Sequence, residues 1–212
     1  MIHELTIQEF RPGRAADAAR IAETAEAAIR GDAHGVLAGC WISEIGALNR
    51  MLTLRSFESL DARAAALADL RVLPRWQAEC RAPVLDLLLG EDSQLLACVA
   101  GPHAPPAGGV YELRHYALKP GGLDAWLALF LAALPARTRH SPVVGVFRPL
   151  AGPADQVWHL WSYPGLDARM RARDAAAADP DWRAFLARSR EQGLVQRMAN
   201  TILLPAPHSP LR

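Results

Sequence analysis

Apolar and polar residues alternate along residues 2–10 (Ile-His-Glu-Leu-Thr-Ile-Gln-Glu-Phe) and again along 110–118 (Val-Tyr-Glu-Leu-Arg-His-Tyr-Ala-Leu). This period of two predicts a strand at each place. Pro12-Gly13 and Pro120-Gly121 break the two runs. After the second break, Leu123, Trp126, Leu127, Phe130, Leu131 and Leu134 recur at helical spacing and form one apolar stripe. Residues 14–29 carry a weaker, Ala-rich version. Two strands are then expected in each half, about 36–44 with 50–57 and 143–149 with 156–163, joined at Gly46 and at Ala151-Gly152-Pro153. Helical regions follow at about 60–80 and 165–192. In the latter, Asp179 is an N-cap, Pro180 takes the first helical position and Gly193 ends the helix. Closing strands are expected at about 93–99 and 194–203.

The halves repeat one another. Ile2-His3-Glu4-Leu5 returns 108 residues on as Val110-Tyr111-Glu112-Leu113, and Leu60-Asp61-Ala62-Arg63 returns unchanged 106 residues on as Leu166-Asp167-Ala168-Arg169. The same spacing of 106 carries Gly39 to Gly145, Ser56 to Ser162, Pro74 to Pro180 and Trp76 to Trp182. A period this long is a duplicated small domain rather than a solenoid. Each copy reads β-α-β-β-α-β, the ferredoxin-like plan. The expected fold is therefore α+β, with two fused ferredoxin-like repeats forming an intrachain dimeric α/β barrel with antiparallel sheets. The expected divisions are 1–100 for the first repeat, 101–108 for a Pro/Gly-rich linker, 109–205 for the second repeat and 206–212 for a loose tail.

Composition narrows the functional classes. Hydrophobic residues make up 51% and charged residues 21% of the 212, enough apolar matter for a packed core. A net charge of +1 leaves no basic excess for a run of phosphates, which argues against nucleic acid. Cys40, Cys80 and Cys98 lie far apart and are odd in number, against a disulfide framework and in favour of a reducing cytoplasm. The N-terminus lacks the charged and apolar regions of a signal peptide, no run is long enough to span a membrane, and no basic amphipathic helix suggests a membrane surface. Dinucleotide, P-loop, nucleophile-elbow and zincin motifs are absent, and the seven histidines lack metal-ligand spacing, so no cofactor is expected. Haem would need an axial ligand, for which His159 is the one candidate.

Four segments resemble the NIPSNAP family. Tyr111-Glu112-Leu113-Arg114-His115-Tyr116-Ala117-Leu118-Lys119-Pro120-Gly121 is similar to the opening motif of its domains. Trp41-Ile42-Ser43-Glu44-Ile45-Gly46-Ala47-Leu48-Asn49-Arg50 resembles its Trp…Glu-Ile-Gly…Leu-Asn segment, His159-Leu160-Trp161 its His-Leu-Trp strand, and Asp179-Pro180-Asp181-Trp182 the start of its last helix. The motifs are divided: the first copy has Thr53-Leu54-Arg55 where the second has His159-Leu160-Trp161, and the second has Leu150-Ala151-Gly152 in place of Glu-Ile-Gly. The resemblance implies a dimeric α/β barrel in a tandem, bacterial-type member. It implies little about activity. Monooxygenases and haem-handling enzymes share such barrels, an analogy of fold alone.

Strand alternation orients the candidate chemistry. Glu4, Thr6 and Gln8 share one face, as do Glu112, Arg114 and Tyr116; Thr53 with Arg55 and His159 with Trp161 share another. Their alternates, Leu5 and Ile7, Leu52 and Leu54, Leu113, Trp158 and Leu160, suit packing on helices. The expected cavity therefore lies between the two sheets, lined by Glu4, Glu112, Arg114, Tyr116, Arg55, His159 and Trp161. There His159 and Glu112 are candidates for acid/base work, and the arginines for holding a small anionic metabolite. The alternative is that Glu4 and Glu112 form structural ion pairs with Arg55 and Arg114. Glu44, Asn49 and Arg50 either line a barrel mouth or shape the turn they flank. Trp41, Trp76, Trp126 and Trp182 are read as core. The expected function is small-molecule binding or cofactor-independent acid/base or oxygenase-type chemistry; the alternative is a non-catalytic scaffold for protein interactions. The reading leaves room for a homo-oligomer.

Overall fold

The computed structural model describes residues 1–101, 103 and 109–211. The chain forms two compact units, Met1–Ala97 together with the C-terminal stretch from Leu203, and Cys98–Ile202. The predicted linker at 101–108 lies outside the described residues apart from Gly101 and His103.

In the first half the order is β1 (Ile2–Phe10), α1 (Ala15–Ala25), β2 (Val36–Ile45), β3 (Arg50–Phe57), α2 (Leu60–Val72), α3 (Pro74–Trp76), α4 (Ala82–Leu85) and β4 (Leu88–Ala100). The strands lie in the order β4-β1-β3-β2, each pair antiparallel. A π turn, Glu26–Arg30, prolongs α1, and another, Gln77–Arg81, joins α3 to α4. The second half has β5 (Val110–Leu118), α5 (Leu123–Thr138), β6 (Val143–Pro149), β7 (Gln156–Tyr163), α6 (Leu166–Ala178), α7 (Pro180–Gln192) and β8 (Val195–Pro205). Its order β8-β5-β7-β6 repeats the first, so both units are ferredoxin-like.

Each of these strands falls where the sequence led one to be expected. One helical region differs from expectation: 60–80 is cut at Pro74, because the residue before proline is pushed out of the helical region, and Leu73 is extended with ψ 105°. The corresponding cut at Pro180 is the expected one, with Asp179 extended at ψ 123° as N-cap and Gly193 closing the helix. β4 starts earlier than expected, at Leu88. Its early stretch 91–93 is polar, but it pairs with β1 in the register Gln8 with Glu91 and Thr6 with Ser93, and the paired side chains hydrogen-bond. The tail is not loose. Ala206 is buried and its N–H donates to the Cys40 carbonyl at 2.9 Å, while Ser209 Oγ accepts from the Cys40 N–H at 3.0 Å.

One face of each sheet packs on its own helices. In the first unit, five alanines of α1 lie against Phe10, Cys40, Met51 and Trp76. In the second, Trp126, Leu127 and Phe130 of α5 meet Tyr116, Val157, Trp161 and Tyr163. The second unit thus fills with aromatic rings the space that small α1 side chains leave in the first.

The duplication also preserved a packing device. The register slips between Leu37 and Gly39 and between Val143 and Gly145, and the ring two residues on, Trp41 or Phe147, folds over the glycine. A Cβ at Gly145 would lie 2.5 Å from the Phe147 ring. Gly145→Ala is expected to destabilise by about 1–3 kcal/mol through overpacking. At about 2–4 °C per kcal/mol for a chain of this size, calorimetry should show a Tm lowered by several degrees. Trimming the ring in a Gly145→Ala, Phe147→Leu double variant should restore part of the loss.

Candidate functional site

The face carrying Glu112, Arg114 and Tyr116 on β5 is the face that α5, α6 and α7 cover. On β7 the same face presents His159, Trp161 and Tyr163, with Arg114 opposite His159 and Glu112 opposite Trp161. This corrects the expected orientation: the polar set faces each unit's own helices, and the aliphatic alternates lie on the other face. Alternation did not reveal this because both faces are buried; Leu5, Leu52, Leu54 and Leu160 are each at most 4% exposed. The single expected cavity is accordingly two, one within each unit.

Glu112 is the centre of the second unit's polar network. It is fully buried. Its Oε1 accepts from Arg169 at 2.7 Å, Arg114 at 3.1 Å and Asn200 at 3.2 Å, its Oε2 accepts from Tyr163 at 3.3 Å, and Arg173 approaches to 3.9 Å. Burial pushes its carboxyl up, but the Arg169 hydrogen bond and the charges of Arg114, Arg169 and Arg173 outweigh that and leave it below the usual carboxylate range. The same clamp recurs in the first unit, where Arg63 of α2 holds Glu4. The pairing foreseen between Glu4 and Arg55 does not form: Arg55 engages Glu26 and donates to the Gly35 carbonyl. The missed partners, Arg63 and Arg169, end the one tetrapeptide that the two halves share unchanged.

Between this network and the helices lies a cavity of about 220 Å³. Arg114, Arg137 and Arg173 line it with His159 and Trp161, and Trp126, Phe130, Trp182 and Phe185 supply aromatic walls; no carboxylate lines it among the described residues. Glu112 does not line it either, so that residue is a structural anchor and not an exposed acid or base. Asp179 fixes the far wall. It caps α7 by accepting from the Asp181 and Trp182 N–H groups, and it is gripped by Arg139 and His140.

His159 is 3% exposed and wedged between rings, with Tyr116 at 4.9 Å and Phe130 at 5.2 Å between centroids. Trp161 Nε1, which can only donate, bonds to His159 Nδ1 at 2.6 Å. Nδ1 is therefore the unprotonated nitrogen and Nε2 carries the hydrogen. Burial, followed by the charges of Arg114 and Arg137, holds the imidazole well below its ordinary value, so the ring is neutral. Nε2 is buried and has no partner among the described residues. The result is a fixed N–H donor on a residue that lines the cavity, with no lone pair on that nitrogen for a proton or for haem iron.

Sequence reasoning overlooked Arg137. It is 5% exposed, lies 4.6 Å over the Trp161 ring, and among the described residues bonds only to the neutral hydroxyls of Ser141 and, at 3.0 Å, Tyr163. No repeated motif marks it, and its helix reads as apolar. The predicted trio Glu44, Asn49 and Arg50 is not drawn into either cavity. Asn49 adopts φ 57° in the hairpin turn and accepts from the Gly13 N–H at 2.8 Å, Arg50 pairs with Glu9 on the surface, and Glu44 is exposed. Trp41, Trp76 and Trp126 are buried and Trp182 is half-buried, as expected of core residues.

Comparison with known proteins places this architecture. The NIPSNAP family model matches residues 3–100 and 111–210. A NipSnap homologue of Dictyostelium discoideum is 31% identical over 68% of this chain, and homologue 3B of Mus musculus is 29% identical over 85%. The matches span 64% and 74% of those two proteins. A structure from Lactobacillus acidophilus, provisionally designated a monooxygenase, superposes over 100% of this chain and 98% of its own with a TM-score of 0.69 at 12% identity. Likeness at that identity shows the fold: two ferredoxin-like repeats fused in one chain, of the dimeric α/β-barrel class. No helix among the described residues is long and apolar enough to cross a membrane.

Replacing Glu112 by Gln should cost about 3–5 kcal/mol at pH 7, because it leaves buried guanidinium groups without their counter-charge. A depressed carboxyl contributes stability above its unfolded value of about 4.3 and loses it as pH falls through the folded value. Urea unfolding should therefore show the full gap between wild type and Glu112→Gln at pH 7, and a closing gap below about pH 4.

Proposed function

The chain belongs to the NIPSNAP family, and from that premise we propose that its second unit binds a small anion with an apolar, ring-sized body. The observation that carries this reading is the buried, unpartnered Nε2–H of His159, a residue that lines an arginine-rich cavity. A buried donor without an acceptor costs about 1–3 kcal/mol. A buried guanidinium without a carboxylate costs more. A ligand carboxylate satisfies both, and aromatic walls accept the rest of the molecule.

Charge supports the same reading. Glu112 draws in Arg114, Arg169 and Arg173 directly and Arg137 through the Tyr163 hydroxyl. One carboxylate cannot neutralise four cations, so the cavity carries positive potential. The chemistry open to this set is stabilisation of negative charge on a ligand oxygen, by binding or as an oxyanion hole. Proton abstraction by His159 would require breaking its bond from Trp161, so the acid/base role expected of it is replaced by that of a donor. The three free cysteines support a reducing, cytoplasmic setting.

Benzoate and phenylacetate, titrated calorimetrically into the purified protein, should bind, and benzyl alcohol should bind at least tenfold more weakly. His159→Ala should lose roughly tenfold to a hundredfold in affinity, the worth of a hydrogen bond to a charged group, with Tm kept within a few degrees. Affinity should stay level from pH 6 to 8, since the imidazole is neutral throughout. If neither carboxylate binds, or the His159→Ala variant binds as wild type does, the site assignment fails and a scaffold role is the better account.

A further inference from the structure

The first unit contains a cavity of its own, about 420 Å³, between β1, β3 and the helices that cover them. It is larger than its counterpart because the side chains differ position by position. Thr6 and Gln8 stand where the second unit has Arg114 and Tyr116, Thr53 where it has His159, and Arg55 where it has Trp161. Among the described residues Trp76 is its one Trp, Tyr or Phe ring; hydroxyl and amide groups line it together with aliphatic side chains and the carboxylates of Glu4, Glu26 and Glu91.

The charges of this cavity do not close on themselves. Arg63 takes Glu4, Arg55 takes Glu26, and Arg81 takes the third lining carboxylate, Glu91, at 2.9 Å. Arg30 is then left with a carboxylate oxygen of Glu26 no nearer than 4.0 Å, two long bonds of 3.4 Å to the His34 carbonyl, and the face of Trp76 at 5.5 Å. Its side chain is only 14% exposed. Burial and the neighbouring charge of Arg55 bring its pKa down to about 10. Arg55 lines the cavity with a side chain 4% exposed, and its buried Nε–H has no partner among the described residues.

The backbone supplies an independent sign. Both π turns of the chain's described residues border this cavity, one through Glu26 and Arg30 and the other through Gln77 and Cys80. Such turns are rare and concentrate at functional sites. The equivalent helix of the second unit, α5, has none.

We infer that the first unit carries a second, separate ligand site, which takes a hydrophilic oxyanion: a phosphate or carboxylate borne on a hydroxylated body. The anionic group meets Arg30 and the Arg55 Nε–H. The hydroxyls meet Thr53, Thr6 and Ser93 on the sheet. Thr53 is the best placed of these, since among the described residues its hydroxyl has only a 3.6 Å contact with the Cys40 thiol. The site stands apart from the aromatic cavity of the second unit and does not depend on that cavity binding anything.

The test is calorimetric titration of the full chain with glycerol 3-phosphate, gluconate and inorganic phosphate, alongside benzoate. Glycerol 3-phosphate or gluconate should bind wild type and His159→Ala with affinities equal within about twofold. Arg30→Gln should weaken that binding at least tenfold, as expected for loss of a charge-assisted bond, and leave benzoate unaffected. Thr53→Val, which keeps the shape of the side chain, should weaken it about three- to tenfold. Thr53→Val decides the question even where Arg30→Gln fails to fold. Absence of binding by both hydroxylated anions at millimolar concentration overturns the proposal, as does unchanged affinity in Thr53→Val. Inorganic phosphate binding as tightly as glycerol 3-phosphate overturns the assignment of a hydroxylated body.

Discussion

A carboxylate buried at the middle of a strand, clamped by an arginine from the helix that follows the third strand, is the interaction on which both units are organised. Glu4 with Arg63 and Glu112 with Arg169 are the same pair made twice. Neither charge can be left alone away from water, so each partner fixes the other. The pair ties α2 to β1 and α6 to β5, and thereby sets how far each helix stands from its sheet. That separation leaves a cavity between them. Around Glu112 further arginines collect, attracted by a charge they more than cancel. The positive surface of the second cavity is the consequence of anchoring a fold on a single acid.

The duplication kept this frame and changed what fills it. The bulge glycines, the proline breaks and the clamp recur, while the wall residues, apart from Trp76 and Trp182, do not. Exchanging Thr6 for Arg114 and Leu67 for Arg173 adds two cations without adding a carboxylate. Exchanging Ala-rich packing for Trp126 and Phe130 reduces the open space. One frame therefore holds a small cavity of cations and rings and a larger one of paired cations and carboxylates with hydroxyl groups. Divergence of this kind is available to a fused chain, where each half varies alone, and not to two identical subunits.

Much of the fold was legible because strand alternation and the two breaking prolines are local signals. The order of elements needed nothing more than the repeat. The site was legible only in part. Its residue types were found, since buried charge on a strand is conspicuous, but the side of the sheet was not, because leucines fill the opposite face as fully as helices would require. Arg63 and Arg169 were within reach: an acid and an arginine repeated at nearly equal spacings invite pairing. Arg137 was not. Its neighbours along α5 are Leu, Ala and Pro, and only packing on Trp161 and Tyr163 shows that its guanidinium turns inward.

The pair His159 and Trp161 shows how two substitutions become one property. Imidazole can place its proton on either nitrogen, and alone in an apolar pocket it would have no strong preference. Indole has a hydrogen to give and no lone pair to take one. With Trp161 two residues along the same strand, and hence on the same face, Nδ1 is obliged to accept and Nε2 to donate. Phenylalanine in place of Trp161 would pack similarly but release that choice. In the first unit the same two positions hold Thr53 and Arg55, a hydroxyl that rotates freely and a cation that only donates. The second unit thus has a donor of fixed direction and no charge, set among arginines whose charge does not vary with pH. An acceptor entering that cavity meets the same field at any neutral pH.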